Sequence, residues 1–267
     1  MSNWRPPVVA RYDDIKGVSS NTGTWVTSGS ANTKGATVSL GSAAFDWDGF
    51  FLTAGAGNGW NTILDLSLDS GASDLLVSNY YLPNSSSLSQ IWGTTWFPVP
   101  VKSGATVYCR TGSGTAAIVT TVSLVGCKGS IGYQQRFSRA VGLGNDLSST
   151  VAPEIANGGS GTWGTFQQIV ASTADHYAAL MVAFDNDQVN TGVNQDITVT
   201  LGIGASGSEK TLAIVRGGRL PAYFAFPSAP QLLFVDVPSG SRLSAKAQAA
   251  TTSSGNDLAL SILGLVA

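Results

Sequence analysis

Apolar residues recur at every second position in many short runs of this chain. Phe97, Val99 and Val101 alternate with Pro98 and Pro100, and Leu233, Val235 and Val237 alternate in the same register. A period of two marks a strand with one buried face. Ser103-Gly104 and Ser239-Gly240 then supply turns. Alternation resumes through Val107 and Cys109 in the first run, and through Leu243 and Ala245 in the second. Proline cannot donate to a ladder, so Pro98 and Pro100 place the first run on an edge strand or at a strand end.

Clusters such as SSNTG, TSGSANTKG, GAGNG and TTSSGND separate the runs, and no long stretch carries a helical period. This pattern predicts an all-β protein of antiparallel strands in sandwiches or barrels. Helices are expected only near residues 10–17 or 139–147.

The two runs belong to a longer series of matched landmarks. Gly23-Thr24-Trp25 is answered by Gly161-Thr162-Trp163. Ile63, Leu64, Leu66 and Leu68 lead to Leu82-Pro83, as Ile197, Val199, Leu201 and Ile203 lead to Leu220-Pro221. Val122-Ser123-Leu124-Val125-Gly126 is answered by Leu260-Ser261-Ile262-Leu263-Gly264. The order is kept, at an offset of roughly 130 to 140 residues, close to one ordinary domain length. Ordered landmarks of this kind argue for internal duplication. The expectation is a leader over 1–20, one β-sandwich over 21–128, a connector over 129–158, and a second sandwich over 159–267.

Composition narrows the function classes. Of 267 residues only 11% are charged, against about a quarter in ordinary globular proteins. Glycine numbers 32 and the net charge is −2. The 14 basic residues are scattered, so the basic stripe that duplex binding requires is missing and no nucleic-acid partner is expected. MSNWRPPVVARYDD lacks an apolar signal core, and no apolar run reaches membrane-spanning length. The expected location is a cytosol, or a particle assembled there.

The two cysteines fit that location. If Gly112-Ser113-Gly114 turns a hairpin, Cys109 and Cys127 stand roughly 30 Å apart at strand rise, beyond disulfide reach. Their counterparts Ala245 and Leu265 are apolar, so two buried free thiols are expected.

Candidate chemistry is sparse. The single histidine, His176, aligns with Trp47 in DHY against DWD, and no second histidine completes a zinc set. Asp46 with Asp48, and Asp185 with Asp187, space two carboxylates on one strand face. A calcium loop of the EF-hand kind needs further oxygens and a closing glutamate, so a solvated turn is the plainer reading. Asp65, Asp69 and Asp74 could serve a glycosidase only across a cleft, which sequence does not place. No catalytic residue, metal or cofactor is assigned, and a non-enzymatic role is expected.

Aromatic residues carry the most information. Trp25 and Trp163, present in both halves, read as core. Trp60 sits in the loop GAGNGWN beside Asn58 and Asn61. The matched loops PNSSSLSQIWGTTW and PAYFAFPSAP carry Trp92 and Trp96 in one, and Tyr223, Phe224 and Phe226 in the other. These rings either cap sandwich ends, anchor subunit interfaces, or stack on sugars while Asn58 and Asn61 take hydroxyls.

A duplicated, Gly/Ser/Thr-rich, charge-poor β chain resembles bacteriophage virion proteins of the capsid-decoration, head-spike or tail-associated type, built of jelly-roll-like sandwiches. The segment VDVPSGSRLSAKAQA is similar to strands of such proteins. The resemblance implies a non-enzymatic virion component, a symmetric homo-oligomer contacting capsid or tail proteins through the leader and one sandwich. A carbohydrate- or receptor-binding module facing host surface glycans is the alternative.

Overall fold

The computed structural model describes residues 24–56, 62–82, 93–128, 137–145, 147, 153–185, 195–219, 230–249 and 257–267, and every regular element within them is a strand. The first half contains β1 (Thr24–Thr27), β2 (Thr33–Lys34), β3 (Val38–Ser42), β4 (Gly49–Ala56), β5 (Thr62–Ser67), β6 (Leu75–Leu82), β7 (Gly93–Phe97), β8 (Thr106–Ser113) and β9 (Val119–Cys127). Then follow β10 (Arg139–Gly142), β11 (Glu154–Ser160), β12 (Gln167–Val170), β13 (Tyr177–Asp185), β14 (Gln195–Ile203), β15 (Lys210–Arg219), β16 (Gln231–Leu233), β17 (Leu243–Ala249) and β18 (Asp257–Val266). The chain is all-β and sandwich-like. The stretch 139–147, where a helix was expected, opens instead with β10, whose Arg-Ala-Val-Gly run pairs on both sides. The other helix candidate, 10–17, lies outside the described residues.

In the first half, β1, β9, β4 and β7 pair in that order. A second layer runs β6, β5, β8, with β2 and β3 both on the far edge of β8. Tyr80 of β6 meets Phe97 of β7 edge-on across the interior, with ring centroids 5.5 Å apart. In the second half, β11, β18, β13 and β16 pair in the corresponding order. Opposite them run β15, β14, β17 and β12. These pairs are antiparallel. β11 also runs parallel to β17, and β10 joins the halves, antiparallel to β18 and parallel to β6.

Alternation explains which side chains go inside. Phe50, Leu52 and Ala54 of β4 point inward, as do Val122 and Leu124 of β9. Each half lines its own apolar cluster, one around Phe50, Phe97 and Leu64, the other around Leu180, Val199 and Leu260. The division has one exception. β13 and β18 are buried on both faces: Leu180 and Ile262 belong to the second cluster, whereas Ala179, Met181, Leu263 and Leu265 belong to the first. That accounts for the near-continuous apolar runs YAALMVAF and LALSILGLV, the signature of strands covered on both sides.

The proline expectation holds: β7 is an edge strand and stops at Phe97, before Pro98. Val101 and Val237 each form an isolated bridge, with Trp47 and Tyr177 respectively. Both partner rings lie on a glycine. A Cβ on Gly126 would come within 2.1 Å of the Trp47 ring, and one on Gly264 within 2.5 Å of the Tyr177 ring. Trp47 and Tyr177 thus hold like places in the two pairing patterns, with His176 next to Tyr177.

Cys109 and Cys127 are both free and buried, as expected. The hairpin behind that expectation is absent. β8 pairs with β5, β2 and β3, while β9 pairs with β1 and β4, so the chain crosses between layers after Ser113. Burial pushes the Cys109 thiol far above the ordinary range, with the nearby Asp65 charge adding to the shift.

Candidate functional site

Most of the ring positions singled out above lie outside the described residues: Asn58, Trp60, Asn61, Trp92, Tyr223, Phe224 and Phe226. Trp96 lies within them. It occupies the outward side of β7, directly opposite Phe51 of β4, with ring centroids 4.8 Å apart. The Trp96 ring also lies over Gly49, where a Cβ would come within 2.5 Å of it. Its indole Nε1 is buried without a hydrogen-bond partner among the described residues.

These two rings are part of a larger surface. Because Phe50, Leu52 and Leu124 face inward, the pleat turns Phe51, Thr53, Ser123 and Val125 outward. Thr94 lies opposite Thr53, and their hydroxyls are 2.9 Å apart. Thr121 and Trp25 continue the face to its far edge. No charged side chain stands among these outward residues of β1, β9, β4 and β7.

Trp25 is 72% exposed and Trp163 37% exposed, so neither is a core residue. Repetition at matched positions misled here. Trp25 sits on the outward side of edge strand β1, next to buried Val26. Trp163 covers the Lys246 ammonium, 5.2 Å from its ring centroid, with Phe166 at 4.7 Å.

Lys246 points to a second pair of matched positions. On the outer side of the β5–β8 layer, Asp65 lies opposite Arg110. On the β14–β17 layer, Thr200 lies opposite Lys246. Asp65 is only 1% exposed yet fully partnered. Lys34 Nζ donates to both its oxygens at 2.9 and 2.7 Å, Arg110 Nε at 2.8 Å, and the Asn79 N–H at 2.8 Å. Lys34 also donates to Asn79 Oδ1 at 2.6 Å. Two cations and several hydrogen bonds offset the desolvation of one carboxylate, the arrangement a buried charge requires. In the second half the carboxylate is gone, and the cation rests against aromatic faces instead.

Two other candidate acids, Asp69 and Asp46, are held locally, and Asp187 lies outside the described residues. Asp69 closes its turn by accepting N–H groups of Gly71, Ser73 and Asp74, and the Asp74 amide chiefly, then the Ser73 amide, hold its carboxyl below the usual range. Asp46 accepts the Ser103 N–H at 2.9 Å, which lowers its carboxyl, with Lys102 adding to the effect. His176 pairs with Asp236 at the surface. Among the described residues, no three His, Cys, Asp or Glu side chains gather as a metal set.

Phe51, Val125 and Lys246 are contributors that sequence reading overlooked. Their signal was available in the alternation of GFFLTAGA and VTTVSLVGC, which assigns Phe51 and Val125 to the side opposite the core.

No protein-family model matches the chain, and no curated protein matches it.

Proposed function

We propose that this chain is a non-enzymatic structural component of a phage or phage-like virion, a head-decoration, spike-base or tail-associated protein that assembles as a symmetric oligomer. Two tandem jelly-roll-like sandwiches related by duplication form its body. The matched pairing orders, four strands opposite β6, β5, β8 and their β2/β3 edge in the first half and four opposite four in the second, support that architecture, which is common in capsid domains. The observation that carries the proposal is the uncharged outward face of β1, β9, β4 and β7, with Phe51 and Trp96 at its centre. Charge depletion and aromatic enrichment are the marks of an interface core. Light scattering on the eluting protein at micromolar concentration tests the reading: a mass of several chains supports it, and a stable monomer removes it.

The exposed Trp25 ring, flanked by Thr27 and Thr121, favours a second reading. A neutral glycan stacks on such a ring while hydroxyls meet its rim. Glycan-array binding abolished by Trp25→Ala would select this reading over the first.

A further inference from the structure

Strand β10 fills a defined place. It pairs in parallel with β6 through Ala140↔Val77 and Val141↔Ser78, and antiparallel with the end of β18. Just before it, the Phe137 N–H donates to Pro98 O, beyond β7. Just after it, Asn145 Nδ2 donates to Asn79 O at 2.7 Å, and Leu147 packs on Ile63 and Tyr81. Residues 137–145 and Leu147 thus cover the edge of the first half.

The second half has the same edge, with no described strand over it. Leu66 pairs with Val77 and Leu201 with Ala213, so Ala213 holds the place of Val77, and Ile214 that of Ser78. Among the described residues β15 pairs with β14 alone. Val77 is fully buried, whereas Ala213 is half-buried and Ile214 is 56% exposed. The described pairing on β9 ends where the described residues begin, at Thr24. β18 pairs with β10 as far as Val266, but on the matching side of β9 the described pairing with β1 stops at Val122. A strand lying beyond Val122 on β9, and beside Ala213 on β15, would repeat what β10 does.

The chain contains a segment suited to that strand. Residues 8–15 read VVARYDDI, and residues 140–147 read AVGLGNDL. Val9 matches Val141, Asp14 matches Asp146, and Ile15 answers Leu147. The leader segment precedes the first half as β10 precedes the second, at the same roughly 130-to-140-residue offset as the other landmarks. Charge agrees with the match. β15 carries Lys210 and Arg216. The Lys246 ammonium, on the adjoining outer face, meets rings but no carboxylate among the described residues. The leader would bring Asp13 and Asp14.

We propose that residues 8–15 of one chain dock as a strand on the β15 edge of a second copy, parallel to Ala213–Ile214, so that chains join head to tail. This deepens the assembly reading and rests on it. Strand addition satisfies the open ladder of β15 with main-chain bonds, and the alternate side chains set the register. The contact is heterologous, so it closes into a ring or continues as a filament, depending on the rotation per chain. The same docking brings the neighbour's second half over Phe51 and Val125, as the first half covers Met181 and Leu263.

By analogy with Val141↔Ser78, Val9 should lie opposite Ile214, a spacing a disulfide can bridge. The test mixes two full-length variants, Val9→Cys and Ile214→Cys, under mild oxidation, with the chain carrying both substitutions run alongside. A cross-linked dimer in the mixture, and a ladder of dimers, trimers and larger species from the double variant, is the expected result. A double variant that cross-links only within single chains overturns the proposal, because the leader then closes on its own chain. Absence of any cross-link also overturns it, and light scattering on the unsubstituted chain separates the two failures. An oligomer without the cross-link removes head-to-tail docking alone, whereas a monomer removes the assembly reading as well. Val9→Pro, which deletes a ladder donor, should reduce the assembled mass of the full chain at least tenfold in concentration dependence, with its circular dichroism unchanged.

Discussion

The outward faces of the β4–β9 pair and the β13–β18 pair occupy matched places but meet different surroundings. Phe51 and Val125 stand where Met181 and Leu263 stand, since Phe50 pairs with Gly126 as Leu180 pairs with Gly264. Met181 and Leu263 are buried in the first half's apolar cluster. Phe51 and Val125 are half-buried, among threonine and serine hydroxyls. One strand layout thus carries a near-continuous apolar run where a neighbour covers it, and a run broken by Thr53, Thr121 and Ser123 where no described residue does. The residue choice on a face records what lies against it. The aromatic pair Phe51–Trp96 is the place where the uncovered face departs from an ordinary solvated one.

The largest test of the contrast lies on the other layer, at Asp65 and its counterpart Thr200. Asp65→Ala leaves Lys34 and Arg110 without their shared carboxylate in a half-buried site, and should lower unfolding free energy by about 3–5 kcal/mol. Thr200→Ala removes no charge partner and should cost about 1 kcal/mol. Urea denaturation of both variants measures the difference. Equal losses would mean that the Asp65 cluster is not the organising contact of its face.

Next in size is the contrast between covered and uncovered apolar positions. Leu263→Ala opens a cavity at the seam and should cost about 2–5 kcal/mol. Val125→Ala, at the matched position, should cost about 1 kcal/mol in the isolated chain. If assembly covers Val125, the same substitution should weaken association more than it weakens folding. Denaturation below and above the association concentration separates the two contributions.

Much of this layout could be read from the letters, and the reasons for the remainder are specific. All-β content, the strand end at Phe97 and the buried free thiols followed from period two, proline and apolar counterparts. The 139–147 segment was misread because four residues carry too little periodicity to distinguish a strand from a helix turn, and its pairing with β6 and β18 is long-range. The chain's crossing between layers after Ser113 is likewise invisible locally, so a hairpin looked natural there. Size and repetition favour burial of Trp25 and Trp163, but their neighbours decide otherwise. Val26 takes the inward side of β1, and Lys246 draws Trp163 to the surface. The Asp65 cluster unites residues 34, 65, 79 and 110, and no spacing rule connects them.

A smaller effect compares how the two halves hold a cation. Lys246→Met removes the cation between Trp163 and Phe166 but keeps the packing stem, and should cost about 0.5–1 kcal/mol. Arg110→Met removes one donor from a buried carboxylate and should cost more. If head-to-tail docking brings Asp13 and Asp14 to Lys246, the loss at Lys246 should grow with protein concentration. A loss independent of concentration would confine Lys246 to its own chain.

The smallest and most selective comparison is between two turns. Asp69 closes the β5–β6 turn through backbone N–H groups, while Glu209 closes the β14–β15 turn through the Gly207 N–H and an ion pair with Arg242 at 2.9 Å. Both carboxyls are held below their ordinary values. For Asp69 the Asp74 amide is the main cause, and for Glu209 it is the residue's own amide, followed by Arg242. A carboxyl depressed on folding contributes stability above its unfolded pKa, and loses that contribution as pH falls through the folded value. Asp69→Asn and Glu209→Gln should therefore destabilise the chain at neutral pH and match the unsubstituted protein more closely in strong acid. Salt distinguishes the two turns. The Arg242 attraction, at side chains 17% and 5% exposed, is partly screened, so the Glu209→Gln loss should shrink slightly when ionic strength is raised to about 1 M, while the Asp69→Asn loss, resting on neutral donors, should persist. Denaturation at two pH values and two salt concentrations reads both signs, and equal salt sensitivity would contradict the division of labour assigned to the turns.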